Sequence, residues 1–533
     1  MALRRLVFHP FLIGLYPVLR IFSGHIEETP PHLLVRPLCV LLGITVFLWI
    51  LGWWLSRDMR KGALLASCAL GVNLFFSELL VGFERTARTF AVILPGRDLP
   101  ARQLFFLSAL IVLWGALTVL IIRMRRGTAY LTIFLNLVSF VWIAFPCYAI
   151  VTRWPVASAT LTPIDMAVST PISVKKPPHI IHIVLDAYGR ADTLHRLYGY
   201  DNGPFLQALT DRGFYVATQS RSNYAQTALS LASMLNLTYL DELAEAQGPS
   251  SFNRRPLTTL IDRNQVATFL RQHGYTFVTF SSGVCWTSLQ EPDQTLSKPY
   301  FLNEVEQVLL QETTFPVLVR LMWLLPGGKA IPDLHDLHRA RILYILDALP
   351  TLAASEQPLY VLAHVMAPHP PFVFRQGGER PRIDEPFSYT EGVDPTQIAR
   401  YVAGYREQVA FLNKKILATI DGMFEQAAND PIVIIHGDHG PGSRVLSGDP
   451  NDERSFARTD LEERMGILNA YYFPDRDYHR LYEAVTPVNT FRVIFNQYFG
   501  TALPLLEDSS YASTWKYPYR FYDVTHQALP SQE

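Results

Sequence analysis

Cysteine is scarce: four residues in 533, at positions 39, 68, 147 and 285. Only Cys285 lies beyond the apolar N-terminal third, so that remainder has no second cysteine to pair with and a disulfide framework is excluded there. Excess charge is missing too. Forty-six Lys and Arg against 47 Asp and Glu leave a formal net charge of −1, which argues against nucleic acid as a partner, because that affinity rests on surplus positive charge. No glycine-rich phosphate loop of the Walker or Rossmann kind occurs, and no internal repeat or low-complexity tract is found.

What the chain has in quantity is apolar length: 49% of its residues are hydrophobic. Four long apolar segments occupy the first 151 residues, at 34–55, 63–82, 104–122 and 129–151, each near the ~20 residues that cross a bilayer as a helix. A fifth, 6–22, is shorter and carries Pro10, Pro17 and Arg20. Arg4 and Arg5 precede it as they would a signal peptide, yet no small-residue cleavage site follows and further spans come directly after. Arg4/Arg5, Arg57/Arg60/Lys61 and Arg123/Arg125/Arg126 fall in alternate connections. The positive-inside rule puts those on the cytoplasmic side and, with five spans, sets residue 152 onward outside. Glu27 and Glu28 agree with this arrangement, whereas Arg85, Arg88, Arg97 and Arg102 in the 83–103 loop run against it. Glu78 falls inside the third expected span, where an ionisable group is costly and is a functional candidate by default; a protonated or paired residue near the outer interface is the simpler reading.

Residues 1–153 are therefore expected to form a transmembrane helical domain, 154–178 a linker rich in Pro, Ser and Thr, and 179–533 a soluble catalytic domain. In that last part short apolar runs (180–186, 275–280, 358–365, 431–436, 467–473) alternate with helical stretches (257–273, 337–354, 395–427). Continuous apolar strands alternating with helices predict an α/β sandwich around a mostly parallel central sheet.

Two of those strands end in chemistry. Ile432-Val433-Ile434-Ile435-His436 runs into Gly437-Asp438-His439-Gly440, and Ile180–Leu185 runs into Asp186. Active sites in such sheets collect beyond the carboxyl ends of the strands. Asp438 and His439 would share an ion only if the chain curls, which the flanking glycines allow. Two carboxylates with an imidazole suit one Zn²⁺ or Mn²⁺ better than Ca²⁺, which prefers an all-oxygen shell; the plain alternative is a strand ending in a solvated turn. Thr227 opens a small-residue helix pattern, where free N–H groups favour an alkoxide or a bound phosphoryl group; an ordinary Ser/Thr cap is the alternative there. His364 and His369 follow another apolar strand in His-Val-Met-Ala-Pro-His-Pro-Pro-Phe, and His369 is a candidate to donate to a phosphoryl oxygen or protonate a leaving group. Arg190, Asp192 and His436 are candidates for outer or substrate contacts. His335, His338 and His364 are the loose candidates for a second metal.

Asp186 after its strand, Thr227 at a helix start, the His-x4-His loop and Gly-Asp-His-Gly, in that order over 179–500, resemble the sulfatase-like branch of the alkaline phosphatase superfamily. Five spans ahead of such a domain resemble the architecture of lipoteichoic acid synthases and phosphoethanolamine transferases. The resemblance implies Asp186, Thr227, Asp438 and His439 as metal ligands, Thr227 as nucleophile, His369 contacting substrate with His364 and Arg190 beside it, and a phospholipid or envelope glycan or lipid as substrate. It also implies a multi-pass protein of a bacterial-type inner (plasma) membrane with its catalytic domain outside. Those transferases carry Glu at the position of Asp186. The Cys/Ser-x-Pro-x-Arg motif of true sulfatases does not follow Asp186, since Cys285 is followed by Trp-Thr-Ser. The expected activity is thus a metal-dependent phosphotransferase working through a phosphothreonine. The alternatives are a sulfatase-like ester hydrolase with no dedicated acceptor and a non-catalytic envelope scaffold.

Overall fold

The computed structural model describes residues 6–89, 99–154, 166, 177–323, 332–382, 387–391, 395–427, 429–444 and 457–527. Most of the 154–178 segment lies outside these residues. The chain forms two compact units: Met1–Val156 together with Leu302–Leu334, and Ala157–Phe301 together with His335–Glu533. The segment 302–334, expected within the soluble domain, thus belongs to the N-terminal unit.

The first unit is helical: α1 (His9–Gly24), α2 (Val35–Ser56), α3 (Met59–Leu74), α4 (Phe76–Thr89), α5 (Leu99–Arg123) and α6 (Thr128–Thr152). Three apolar helical stretches, Pro31–Ser56, Phe105–Arg123 and Thr128–Thr152, are long enough to cross a membrane. The expected span over 63–82 is broken, since α3 and α4 meet at 67° and count as one span only if the bent pair crosses together. The expected span over 6–22 is the 16-residue α1 with Pro17 inside it, about 24 Å of helix and short of the ~30 Å hydrocarbon layer. The described helices therefore number three to four candidate spans where five were expected. Glu78 is paired: its carboxylate lies 3.3 Å from Arg20.

The second unit is built on a seven-stranded sheet of β1 (Ile180–Leu185), β2 (Tyr215–Val216), β3 (Thr276–Phe280), β4 (Gln294–Leu296), β5 (Leu359–Val365), β6 (Ile432–His436) and β7 (Asn469–Tyr472), in the order β2-β7-β6-β1-β5-β3-β4. β1 pairs in parallel with β5 and β6, and β3 with β4 and β5, whereas β7 and β2 close one edge antiparallel. Side chains alternate between two buried cores. Ile180, Val184, Tyr360, Leu362, Ile432 and Ile434 face one, with α7 (Thr227–Leu235). Ile181, Ile183, Leu185, Val361, Ala363 and Ile435 face the other, with α8 (Leu334–Ala353) and α9 (Ile398–Gln426). Burial on both faces is why these strands read as unbroken apolar runs rather than alternating ones. Helix is interrupted within 257–273 at Asn264, whose side chain accepts from Ala267 N at 2.7 Å and starts a second helix. β1 sits at the centre of the sheet, and its parallel neighbours bring the next residues of β5 and β6 level with Asp186.

Candidate metal centre

The register does the first part of the assembly. Val184 is opposite His436 in the β1–β6 pair, so two residues further on Asp186 and Asp438 leave adjacent parallel strands at the same level. Beyond β1 the chain turns through Ala187 at φ 63°, a left-handed value unusual for a residue with a Cβ. That turn directs Ala187 N–H to Asp438 Oδ1 at 3.1 Å. Glycine flanks Asp438-His439 for closeness of approach: a Cβ on Gly437 would stand 2.4 Å from Tyr188 O, and one on Gly440 2.1 Å from Glu463 O. The chain does curl there, and neither glycine needs a positive φ for it.

Asp186, Asp438 and His439 converge, their ligand-type atoms all within 4.8 Å of one another and all three residues buried. His439 Nε2 is 3.3 Å from Asp438 Oδ2 and 3.7 Å from Asp186 Oδ1, and these two carboxylate oxygens are buried with no hydrogen-bond partner. His439 Nδ1–H donates to Gly440 O at 2.9 Å, which leaves the Nε2 lone pair facing the oxygens. Two orphaned carboxylate oxygens and an imidazole lone pair aimed at one point fit a divalent cation, because bare buried anions are otherwise costly.

The remaining groups surround that point. Thr227 Oγ1 is 3.1 Å from His439 Nε2, at the first residue of α7. The helix is pinned there, since the hydroxyls of Ser222 and Ser230 both donate to the Asp438 carbonyl, at 2.5 and 2.7 Å. His364 Nε2–H donates to Asp186 Oδ2 at 3.1 Å, and its Nδ1 shares the Thr287 hydroxyl at 2.8 Å, so both ring nitrogens are engaged within the protein. His369 Nδ1–H donates to Pro370 O at 2.6 Å, and its Nε2 lies 3.7 Å from Glu391 Oε1. Burial opposes charge on Asp186, but His369 foremost, with His364 and His439, holds its carboxyl below the usual carboxylate range.

Arg190, expected to contact substrate, is engaged elsewhere. Its guanidinium pairs with Asp192 at 2.7 Å and donates to Ser220 O at 2.9 Å. His436 turns into the sheet, with Nε2 2.8 Å from His182 Nε2. Among the described residues, Asp186, Asp438 and His439 are the one converged group of three such donors. Two residues that the sequence did not single out complete the site. Arg464, on α10 (Arg458–Met465), directs Nη2 to His439 Nε2 at 3.1 Å, donates Nε to Ala225 O at 2.7 Å, and pairs with Glu391. Burial works against the Glu391 carboxylate, and Arg464, then His369, keep it below its ordinary range. Neither residue follows an apolar strand, so the strand-end signal that found the others misses them.

A buried Asp/Asp/His group and a helix-start threonine thus meet where central parallel strands end. The sulfatase family model matches residues 178–494, and the chain belongs to that family. No curated protein sequence matches the chain. Among solved structures, the C-terminal periplasmic domain of EcEptC from Escherichia coli in complex with Zn is similar at 12% identity, over 70% of this chain and 99% of that one, with a TM-score of 0.44. The soluble domain of lipooligosaccharide phosphoethanolamine transferase A from Neisseria meningitidis is 15% identical over 62% of this chain and 90% of its own, TM-score 0.38. A putative sulfatase from Bacteroides thetaiotaomicron is 12% identical over 67% and 76%, TM-score 0.39.

Proposed function

We propose that the chain is a membrane-anchored, metal-dependent phosphotransferase of the cell envelope, with its catalytic unit outside the inner membrane. It moves a phospho-alcohol group from a phospholipid or similar phosphodiester through a covalent phosphothreonine on Thr227. The observation that carries this reading is a hydroxyl at a helix start, 3.1 Å from the ligand-type nitrogen of a buried Asp/Asp/His group. Zn²⁺ or Mn²⁺ held by Asp186, Asp438 and His439 would lower the hydroxyl pKa of Thr227 and offset charge on the phosphoryl oxygens; Ca²⁺ suits that nitrogen-bearing set less well.

In the first half-reaction Thr227 Oγ attacks phosphorus in line. The Oγ–P bond forms, the P–O bond to the lipid alcohol breaks, and that alcohol leaves with a proton. In the second, an acceptor hydroxyl forms its own O–P bond, the Oγ–P bond breaks, and Thr227 recovers a proton. His369 Nε2 moves these protons, its ring held by the Nδ1–H bond to Pro370 O. The free N–H groups of the first turn of α7 and the guanidinium of Arg464 favour the anionic phosphoryl group. Anchoring to the membrane raises the effective concentration of lipid head groups at the site.

The family's name favours a second reading, a sulfatase-like hydrolase that releases its product to water. One experiment separates the two. Full-length protein is incubated with mixed phospholipids and Zn²⁺ or Mn²⁺, and the peptide containing Thr227 is weighed by mass spectrometry, in wild type and in His369→Ala to slow the second step. A phospho-alcohol adduct is expected. An unmodified peptide in both, with turnover of aryl sulfate model substrates, would give the hydrolase reading the lead. Loss of nothing on Thr227→Ala would favour a scaffold.

A further inference from the structure

Residues 302–334 leave the catalytic unit, join the helical one, and return. They hold two short helices, Glu304–Glu312 and Phe315–Trp323. The first opens with a capping box in which Asn303 and Glu306 satisfy each other's backbone N–H, and it is then tied down along its length. Glu306 pairs with Arg36, and Glu312 pairs with Arg20, which also reaches Glu78. Asn303 Nδ2 donates to Leu33 O at 3.0 Å, Ser77 Oγ donates to Gln311 O at 3.2 Å, and the Thr314 hydroxyl meets Asn73. These partners are the end of α1, the approach to α2, and the break between α3 and α4. By chain direction all of them lie at one end of the bundle, opposite Arg57, Arg60, Arg123 and Arg126.

The ties fix which way the second helix faces. Val317 is buried with Phe76, Leu80, Phe106, Leu107 and Leu110 of α4 and α5, and Leu321 packs against the same cluster. One helix face away, Leu318 and Met322, four residues apart on one stripe, stand 43% and 40% exposed. Water is a poor environment for that pair. The two helices that Val317 and Leu321 pack against are themselves apolar outside: Leu79 and Val81 of α4 and Ile111, Val112 and Leu113 of α5 are exposed.

We infer that the helix Phe315–Trp323 is an interfacial anchor, with Leu318 and Met322 immersed in the lipid bilayer at its head-group boundary. The lipid is the occupant because this helix packs on a candidate spanning helix whose own exposed surface is apolar. The anchor lies between two segments of the catalytic unit, so the chain enters the helical unit twice. The inference rests on the membrane reading above and not on the phosphotransfer chemistry.

Site-directed spin labels in the full-length protein, reconstituted in phosphatidylethanolamine/phosphatidylglycerol vesicles, test it in a background lacking the four native cysteines. Labels go on Leu318→Cys and Met322→Cys, on Val112→Cys as the span reference, and on Leu505→Cys as an exposed site of the catalytic unit. Variants are used only where they keep the parent's melting curve, and either test position suffices. The ratio of oxygen to nickel-chelate accessibility at 318 or 322 is expected to rise several-fold over that at 505 and to fall short of that at 112. If 112 is immersed while 318 and 322 match 505, the anchor is overturned and the span stands. If 112 also matches 505, the membrane reading fails and the anchor with it. Dipolar broadening at 318 or 322 that vanishes on dilution with unlabelled protein would assign the stripe to a second copy and overturn the lipid assignment.

Discussion

Thr227 Oγ1 and His439 Nε2 lie 3.1 Å apart, with the His439 tautomer set by Nδ1–H donation to the Gly440 carbonyl at 2.9 Å. With Nδ1 protonated, Nε2 is an acceptor and the Thr227 hydroxyl points its proton there; a cation held at Nε2 would take that lone pair and free the hydroxyl for attack on phosphorus. The chemistry of Thr227 is therefore the first thing to test. Thr227→Ala is expected to lower transfer by ~10⁴–10⁶-fold, while Thr227→Ser keeps the hydroxyl and retains measurable turnover. Both should leave the melting temperature near that of wild type, because the Thr227 side chain is only partly buried. Equal loss of activity in the two variants would argue that the hydroxyl is not the nucleophile.

Metal should stabilise the protein as well as activate it. Asp186 Oδ1 and Asp438 Oδ2 are buried without partners, so a cation that binds only the folded chain adds about 2.7 kcal/mol at a hundredfold excess over its Kd. Asp438→Asn keeps an oxygen for Ala187 N–H but presents an amide to the ion. Thermal unfolding with added Zn²⁺ or Mn²⁺ is expected to shift upward for wild type and to stay fixed for Asp438→Asn. Equal shifts in both would place the ion elsewhere.

Glu391 and Arg464 form a buried ion pair, with their side chains 13% and 10% exposed. Removing one partner of such a pair leaves the other charge uncompensated and costs about 3–5 kcal/mol. Glu391→Ala is accordingly expected to lower the melting temperature of the full-length protein clearly. Arg464→Met in the same background should give back part of the loss, because the stranded guanidinium is then gone. A double variant no more stable than Glu391→Ala would show that the pair is not energetically coupled.

The strand-end motifs carried most of the fold and site into the sequence. Asp186, Asp438 and His439 were legible because central parallel strands are apolar to their last residue and their polar successors stand out. Thr227 was legible as a helix start. Arg464 and Glu391 were not, since one sits on a polar helix and the other in a loop, and only tertiary packing brings them to His439 and His369. Arg190 followed Asp186 closely in sequence, yet the turn at Ala187 and the pairing with Asp192 take it elsewhere. The helix Glu304–Glu312 reads locally as any capped amphipathic helix. Its membership of the N-terminal unit depends on Arg20 and Arg36, some 270 to 290 residues away, and no local pattern announces such a pairing.

His182 and His436 give a test of the sheet that is independent of catalysis. Their Nε2 atoms are 2.8 Å apart on adjacent strands, and His436 Nδ1–H donates to Gly437 O at 2.8 Å, so with both rings neutral His182 is the donor. Burial pushes His436 down to about 4 and His182 well below its ordinary value. Unfolded imidazoles take up protons below about pH 6.5, whereas the folded pair does not. This contribution is thus complete above the unfolded value and is lost as pH falls toward the folded one. For His436 a displacement of that size is on the order of 3 kcal/mol. Thermal unfolding in chelator, followed from about pH 7 to pH 5, is expected to show a steep fall for wild type and a shallower one for His182→Leu. The variant should start lower at neutral pH, having left His436 Nε2 without its donor. Parallel pH slopes for the two proteins would mean that the pair titrates normally and that the buried neutral arrangement is wrong.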